Sequence, residues 1–207
     1  MTSTSRAGRP RRSSAEILAD AASELFLENG YAGTTVDQIA QRAGVSRATF
    51  FNYFGGKADL LWLDLDQSLE RLPGALREAA DSASGRDPAH LVADALVAVA
   101  ASHDDQSVPW ALSQGEAMRI GDDLTASAAS RFVAQQKRVA GFLAERAGER
   151  QDATGPQVAA ATLLAAAGAA TVAWARAGIG RGRLVDLVEP AVRAVARGLT
   201  RTGPDRG

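Results

Sequence analysis

The chain of 207 residues is 46% hydrophobic and 23% charged, which supports a packed core and excludes a disordered or collagen-like protein. It contains no cysteine, which excludes disulfides, thiolate nucleophiles and zinc–thiolate sites and suits a reducing compartment. The first ten residues are polar and basic and lack the apolar segment of a secretory signal. We therefore expect a cytoplasmic protein.

The positive charge is unevenly distributed along the chain, although the formal net charge is only −1. Residues 1–12 contain four arginines and no acid, and residues 38–58 contain two arginines and one lysine, again without an acid. Two cationic segments in a neutral chain indicate that one end of the molecule meets a polyanion. A solvated, disordered tail is the alternative interpretation of the first segment.

Apolar residues recur at helical spacing almost throughout, and no alternating segment predicts a strand. The sequence therefore predicts an all-α fold of about nine helices. A capping box at residues 13–16 opens the first helix, because its serine and glutamate can satisfy unpaired backbone donors. The same helix is predicted to end at Asn29-Gly30.

Two short helices follow. A second capping box, at residues 35–38, opens the first of them, and Gly44 ends it. Ser46 can cap the next helix, which runs to about Phe54 and turns Phe50 and Phe54 inward. The two helices and their glycine turn have the pattern of a helix-turn-helix, in which the second helix enters the major groove of DNA.

The remaining chain is predicted to be helical as well. A fourth helix begins near Lys57 and continues to Pro73, which marks a kink or a domain boundary because proline breaks a helix interior. Further helices are predicted at residues 75–82, 88–102, 109–120, 123–147, 156–177 and 184–200.

The predicted outer face of the third helix carries residue types that suit binding to nucleic acid. Its residues carry cationic, hydroxyl, amide and aromatic groups and no acid; they are Arg47, Ala48, Thr49, Phe51, Asn52 and Tyr53. Such a face suits contacts with phosphates and base edges. A helical hairpin that only packs is the alternative.

The same region carries a specific motif. It reads Gly33-Thr34-Thr35-Val36, Ile39-Ala40, Ala43-Gly44-Val45-Ser46, Thr49-Phe50-Phe51-Asn52-Tyr53-Phe54 and Lys57. At these residues the sequence resembles the tetracycline-repressor (TetR) family of regulators. The resemblance implies a flexible basic arm at 1–11, a DNA-binding domain at 12–72 with its helix-turn-helix at about 35–54, and an effector-binding and dimerisation domain at 73–207.

The resemblance also implies roles for individual residues. It assigns phosphate contacts to Thr35, Tyr53 and Lys57. It also implies that four residues of the third helix face the major groove: Arg47, Ala48, Thr49 and Asn52. Arg47 is suited to a bidentate contact with guanine, and the arm residues Arg9, Arg11 and Arg12 to the minor groove. Phe51 stands where the family usually has a tyrosine, so a hydroxyl contact is lost there.

Residues 158–175 form an uncharged stretch that is just long enough for a membrane span. Because alanine dominates it, we expect no membrane insertion but a helix that lets a partner backbone come close. With the helix at 184–200 it is predicted to form half of a four-helix homodimer interface. The residues predicted for that interface are Ala166, Gly168, Ala170, Leu187 and Ala191.

The middle of the chain offers candidates for an apolar effector cavity. They are the large side chains Trp62, Trp110, Met118, Phe132 and Phe142. Ordinary core packing is the alternative for each of them. The tryptophan early in the connecting helix and the alanine-rich helix around Trp174 resemble the branch of the family with acyl-CoA-like ligands.

The sequence does not favour an enzyme, a metal site or a cofactor. The only histidines are His90 and His103, and residues 103–105 are interpreted as a solvated loop without metal-ligand spacing. The glycines of residues 178–182 follow a helix, not a strand, and therefore do not predict dinucleotide binding.

The sequence as a whole predicts a homodimeric repressor. It would bind double-stranded DNA at a pseudo-palindromic operator and be released by a small apolar or acyl-type effector. An α-helical enzyme or interaction module without DNA function is the alternative.

Overall fold

The computed structural model describes residues 14–83, 85–114 and 122–200. Within these ranges the chain forms ten α-helices and one 3-10 helix and contains no strand, which confirms the predicted all-α class. The described residues form two compact units, the first ending at Leu61 and the second beginning at Trp62. The domain limits 1–11, 12–72 and 73–207 stay predictions.

The first unit is a group of three helices. They are α1 (Ser14–Asn29), α2 (Val36–Arg42) and α3 (Arg47–Tyr53), followed by a 3-10 helix (Asp59–Trp62). α1 ends as predicted, with Gly30 at a φ of +73°, a conformation that costs glycine little.

The core of the first unit joins all three helices. Its fully buried side chains include Leu18 and Phe26 of α1, Ile39 of α2 and Phe50 of α3. Thr34 is also buried, and its hydroxyl lies 3.1 Å from the carbonyl oxygen of Leu25 and 2.9 Å from that of Gly30. The threonine thus satisfies backbone acceptors where α1 ends.

The described part of the second unit contains seven helices. They are α4 (Leu63–Leu69), α5 (Leu72–Ser82), α6 (Pro88–Ala101), α7 (Trp110–Ser113), α8 (Asp122–Ala147), α9 (Thr154–Arg176) and α10 (Leu184–Thr200). α10 packs against α6 and α9, α5 packs against α6, and α8 packs against α9. Their shared core is centred on Trp174, which is fully buried and whose indole nitrogen donates to the carbonyl of Gly182 at 3.0 Å.

Two predicted helices differ from the structure. The predicted fourth helix is divided into the 3-10 helix and α4. The helix predicted at 75–82 is α5, which begins earlier, at Leu72, so that Pro73 lies in its first turn, where the missing N–H is tolerated. The helix predicted at 109–120 is α7, four residues long, and residues 115–121 lie outside the described part of the chain. The helix predicted at 184–200 is confirmed as α10, and it continues through Pro190, which removes one backbone donor from its interior.

The core predicts unequal roles for two adjacent phenylalanines. Phe50 is fully buried and stacks 5.5 Å from Phe54, whereas 46% of Phe51 is exposed. We expect Phe50→Ala to lower the free energy of unfolding of the first unit by about 3–5 kcal/mol. The matched control Phe51→Ala should change it by less than about 1 kcal/mol. Urea denaturation followed by circular dichroism measures both; equal losses would contradict this description of the core.

Candidate nucleic-acid interface and ligand cavity

The predicted capping residues and the predicted glycine turn fix where α2 and α3 begin and end. The Thr35 hydroxyl accepts from the Gln38 backbone N–H at 3.2 Å, and the Gln38 side chain accepts from the Thr35 N–H at 2.8 Å, so the capping box is complete. Gly44 has a φ of +70° in the turn. Ser46 accepts from the Thr49 N–H at 3.0 Å and thereby caps α3.

The outward face of α3 carries most of the side chains predicted to read DNA. Its exposed residues are Arg47, Ala48, Phe51, Asn52 and Tyr53. Thr49 is half-buried, and its hydroxyl lies 2.9 Å from that of Ser46. Phe50 points the opposite way into the core, so one side of the helix packs and the other remains available to a ligand. DNA contacts by these residues, and by the exposed Thr35, stay predictions.

The cationic segment at residues 38–58 meets acids from other parts of the first unit. Arg42 pairs with Glu24 at 2.9 Å and Glu28 at 2.8 Å, both on α1. The hydrogen bond from Arg42 lowers the pKa of Glu28, and bonding to the two carboxylates raises the pKa of Arg42. The positive patch is therefore smaller than the charge sum of the segment suggests.

Arg47, the predicted base contact, has two neighbours within the unit. Its Nη1 atom donates to the Asp37 carboxylate at 2.7 Å, and its guanidinium lies 5.2 Å from the centre of the Phe51 ring. Both members of the ion pair are largely exposed. Asp37 thus holds one edge of the guanidinium and leaves the remaining N–H groups of the fork available.

Lys57 lies within the first unit and not on the outer face of α3. Its Nζ atom donates to the carbonyls of Tyr31 at 2.7 Å and Thr34 at 3.1 Å, and it lies 4.1 Å from the centre of the Tyr31 ring. These contacts fasten the segment after α3 to the α1–α2 connection. Its phosphate contact stays a prediction, and the arm residues Arg9, Arg11 and Arg12 lie outside the described residues.

The second unit contains a partly open apolar cavity of about 290 Å³. It is lined by α4, α6, α7, α8 and α9 residues together with two of the predicted aromatic side chains, Trp62 and Phe132. Trp110 and Phe142 are not among its lining residues. Phe142 packs against the core and lies beneath the Arg146 guanidinium, so ordinary packing describes it better. The ligand contact of Trp110 stays a prediction. Met118 lies outside the described residues. The cavity size is near the lower end of small-molecule sites.

A smaller cavity of about 60 Å³ adjoins the first one. The two share five lining residues: Leu65, Leu69, Leu96, Ala167 and Thr171. The smaller cavity also contains His103, which is buried, so the predicted solvated loop at residues 103–105 is wrong at this position.

Both ring nitrogens of the buried His103 have polar partners, which offset the loss of hydration. Nδ1 lies 2.8 Å from the Ser68 hydroxyl, and Nε2 donates to the Ser107 carbonyl at 2.7 Å. Burial raises the pKa of the nearby Asp64 carboxyl; His103 opposes this shift and Asp104 adds to it. Asp105 accepts from the backbone N–H of Leu184 at 2.8 Å and caps α10. Sequence spacing did not indicate these long-range partners.

The predicted dimer residues differ in their exposure. Gly168 is exposed and also lines the larger cavity, whereas Ala170 lies in the core of its own chain. Ala166, Leu187 and Ala191 are half-buried against that core. The surface of α9 that remains open carries small and apolar residues, namely Val158, Thr162, Ala165, Gly168, Ala169 and Ala173.

α9 is the one described helix that is long and apolar enough to cross a membrane, with a mean hydropathy of 1.7. It packs against α8 and α10 and contributes Leu163 and Trp174 to the core. Among the described side chains, no group of three or more histidines and acids is placed to hold a metal ion.

Two family models match this chain. Residues 18–61 match the model described as bacterial regulatory proteins of the tetR family, and residues 86–200 match the one described as the MftR C-terminal domain. A Mycobacterium tuberculosis protein named for transcriptional regulation of mycofactocin biosynthesis, MftR, is 30% identical over 179 residues, or 85% of this chain and 87% of that protein.

Solved structures of similar proteins share the architecture. Thermus thermophilus FadR, a TetR-family transcriptional repressor in complex with lauroyl-CoA, is 29% identical with a TM-score of 0.53, covering 93% of this chain and 99% of that one. Bacillus subtilis FadR in complex with stearoyl-CoA is 20% identical with a TM-score of 0.54, covering 88% and 98%, and supports the fold alone.

The Asp37–Arg47 ion pair leads to a prediction about charge. We expect Asp37→Asn to raise the affinity for DNA of random sequence by about two- to fivefold, since it frees the Arg47 charge. The dependence of binding on salt should steepen by up to about 0.9 in the log–log slope. A filter-binding assay across a series of salt concentrations measures both the affinity and its dependence on salt.

Glu28→Gln is the matched control, because it removes a paired carboxylate from the same unit but from the Arg42 side. An equal gain in both variants would show that only the overall charge matters.

Proposed function

Because this chain belongs to the TetR family of bacterial regulators, we propose that it is a homodimeric, cytoplasmic repressor that a small apolar or acyl-type ligand releases from its operator. The observation that carries the proposal is the pairing of a capped helix-turn-helix in the first unit with a 290 Å³ apolar cavity in the second. The family membership favours this function over an α-helical enzyme or interaction module.

The DNA contacts of the proposal come from α3 and its flanks. Arg47 offers the donor fork that matches O6 and N7 of guanine, and Asn52 offers an amide for a base edge. Thr35 and Tyr53 are exposed and present hydroxyl groups to phosphates. Two such heads in a dimer, about one helical turn apart, would read a pseudo-palindromic operator.

The effector of the proposal occupies the larger cavity. Its lining of leucine, alanine, valine and aromatic side chains suits an alkyl or acyl chain, and the lauroyl-CoA complex of Thermus thermophilus FadR is consistent with that class. Release of DNA requires that the effector bind more tightly to the conformation with lower operator affinity. Repression, and not activation, is the sign that we propose.

The homodimer of the proposal forms through the open surface of α9 with α10. Val158 is 52% exposed on that surface, and a contiguous apolar strip of this kind is unusual unless another molecule covers it. A two-fold contact would bring each α9 against its symmetry mate. The interface therefore uses the exposed Gly168 and its outward neighbours in preference to the buried Ala170.

Operator binding is predicted to depend on Arg47. DNA fragments captured by the full chain supply the operator, and Arg47→Ala should then weaken operator binding by about 1–3 kcal/mol and relax the base preference at one position of each half-site. Arg42→Ala is the control, because Arg42 faces the acids of α1. Unchanged affinity and base preference in Arg47→Ala would exclude it as a base contact.

Dimerisation is predicted to depend on the space beside Gly168. Apart from the neighbouring parts of α9 itself, no atom lies within 4 Å of where a Gly168 Cβ would be, so a side chain has room to leave the backbone there in the single chain. We expect the leucine of Gly168→Leu to meet a second copy. We expect the dimer to dissociate, with an overpacking cost of about 1–3 kcal/mol per site. Sedimentation velocity compares it with Gly74→Leu, whose position on α5 is equally open. An undisturbed dimer in Gly168→Leu places the interface elsewhere.

A further inference from the structure

The ion pair between Asp37 and Arg47 lies where α2 and α3 begin. Asp37 is in the first turn of α2, and Arg47 is the first residue of α3. The Arg47 Nη1 atom donates to Asp37 Oδ1 at 2.7 Å. The two side chains are 58% exposed for Arg47 and 66% exposed for Asp37, so a ligand that approaches the outer face of α3 meets both charges together.

The Arg47 guanidinium has a second neighbour, the ring of Phe51. The guanidinium carbon lies 5.2 Å from the centre of that ring. The Phe51 ring in turn packs edge-on against Phe50, with ring centres 5.3 Å apart and planes at 80°. Because Phe50 is fully buried, this contact fixes the position from which Phe51 supports the guanidinium. Arg47 is therefore oriented by two neighbours of its own chain before DNA arrives.

Two uses of Arg47 compete at a DNA surface. A free guanidinium pairs with any phosphate, and such contacts carry no sequence information. A guanidinium that reads guanine needs two N–H groups for O6 and N7, and arginine has five N–H groups in a rigid fork. The bond to Asp37 occupies one edge of the fork and leaves enough donors for the base.

Asp37 affects these two uses differently. A phosphate carries a full negative charge, which the adjacent carboxylate repels more strongly as water leaves the interface. A guanine edge is neutral as a whole and presents only two acceptor atoms. The Asp37 carboxylate therefore weakens a phosphate contact of Arg47 more than a guanine contact, and its hydrogen bond restricts the directions in which the fork points.

We infer that Asp37 is a specificity-determining residue of the DNA interface: it positions Arg47 for guanine and opposes the pairing of Arg47 with phosphates. This inference rests on the proposed function, in which Arg47 is a base contact. It goes beyond the expected rise in affinity for random DNA, because it states that operator affinity does not rise in parallel. Arg42 does not provide the same discrimination, since its guanidinium is bonded to Glu24 and Glu28 of α1.

The ratio of operator affinity to random-sequence affinity tests the inference. Filter binding of the full chain at one salt concentration measures both affinities, with the operator taken from captured fragments. Asp37→Asn should lower the ratio about tenfold, because random DNA binds more tightly while part of the guanine preference is lost. Glu28→Gln removes the same charge elsewhere in the unit and should leave the ratio within about twofold. An equal rise of both affinities in Asp37→Asn overturns the inference.

A modified base tests whether the effect is located at the guanine. The position used is the guanine whose preference Arg47→Ala relaxes, and 7-deazaguanine there lacks the N7 acceptor. The unmodified chain should bind the modified operator about tenfold more weakly, whereas Asp37→Asn should lose only about threefold. Equal losses in the two proteins would show that Asp37 does not position Arg47.

A double variant tests whether Asp37 acts through Arg47. In the Arg47→Ala background, Asp37→Asn should leave the affinity ratio unchanged within about twofold, because no guanidinium remains to be positioned. A fall in the ratio that persists without Arg47 contradicts the inference. Asp37 is exposed and asparagine has nearly the same shape, so urea denaturation should show that each variant remains folded.

The same measurements separate this inference from the proposed function. If the unmodified chain binds no operator DNA, the proposed function fails. If operator binds but Arg47→Ala keeps the full base preference, the proposed base contact fails, and the inference fails with it. If Arg47→Ala relaxes the preference while Asp37→Asn keeps the full affinity ratio, only the inference fails.

Discussion

The position of α3 depends on burial of Phe50, because a seven-residue helix is not stable by itself in water. Capping by Ser46 and the turn at Gly44 fix where the helix begins, but neither fixes its orientation. Burial of Phe50 supplies that orientation, because α3 packs against α1 and α2 and Phe50 is fully buried, as are Phe26 of α1 and Ile39 of α2. The orientation of the exposed face of α3 is therefore set by the opposite, apolar side of the same helix.

Three arginines form ion pairs with carboxylates of other helices. Arg42 contacts α1, Arg47 contacts the first turn of α2, and Arg131 contacts α4. A count of charges along the chain treats these arginines as equivalent. Their partners distinguish them: the Arg42 pair links α2 to α1, the Arg47 pair borders the exposed face of α3, and the Arg131 pair borders the cavity. Electrostatic function thus depends on where each cation is neutralised.

Local features of the fold were predictable from the sequence. The capping box at residues 35–38, the turn at Gly44 and the inward orientation of Phe50 depend on residues within a few positions of one another. The division of the predicted fourth helix was harder to predict. Pro73 indicates a boundary, but the 3-10 helix before Trp62 and the bonds from Gly55 and Gly56 to Asp59 do not follow from periodicity.

The functional regions were less predictable because they depend on distant partners. Ser68 and His103 are 35 residues apart, and Asp66 and Arg131 are 65 apart, so no spacing pattern connects them. The sequence identified Trp62 and Phe132 as candidate lining residues, but side-chain size alone could not separate them from Trp110 and Phe142. Only the packing of α4, α8 and α9 decides which large side chains border empty space.

Trp62 gives the effector unit an intrinsic optical label. The chain has three tryptophans, at positions 62, 110 and 174, and all of them belong to the second unit. Trp174 is enclosed in the core, whereas the Trp62 ring borders the cavity and lies beside a guanidinium that quenches or shifts indole emission when it moves. Tryptophan emission from the unmodified chain is therefore specific to the effector unit, and events at the DNA-reading face contribute no indole signal of their own.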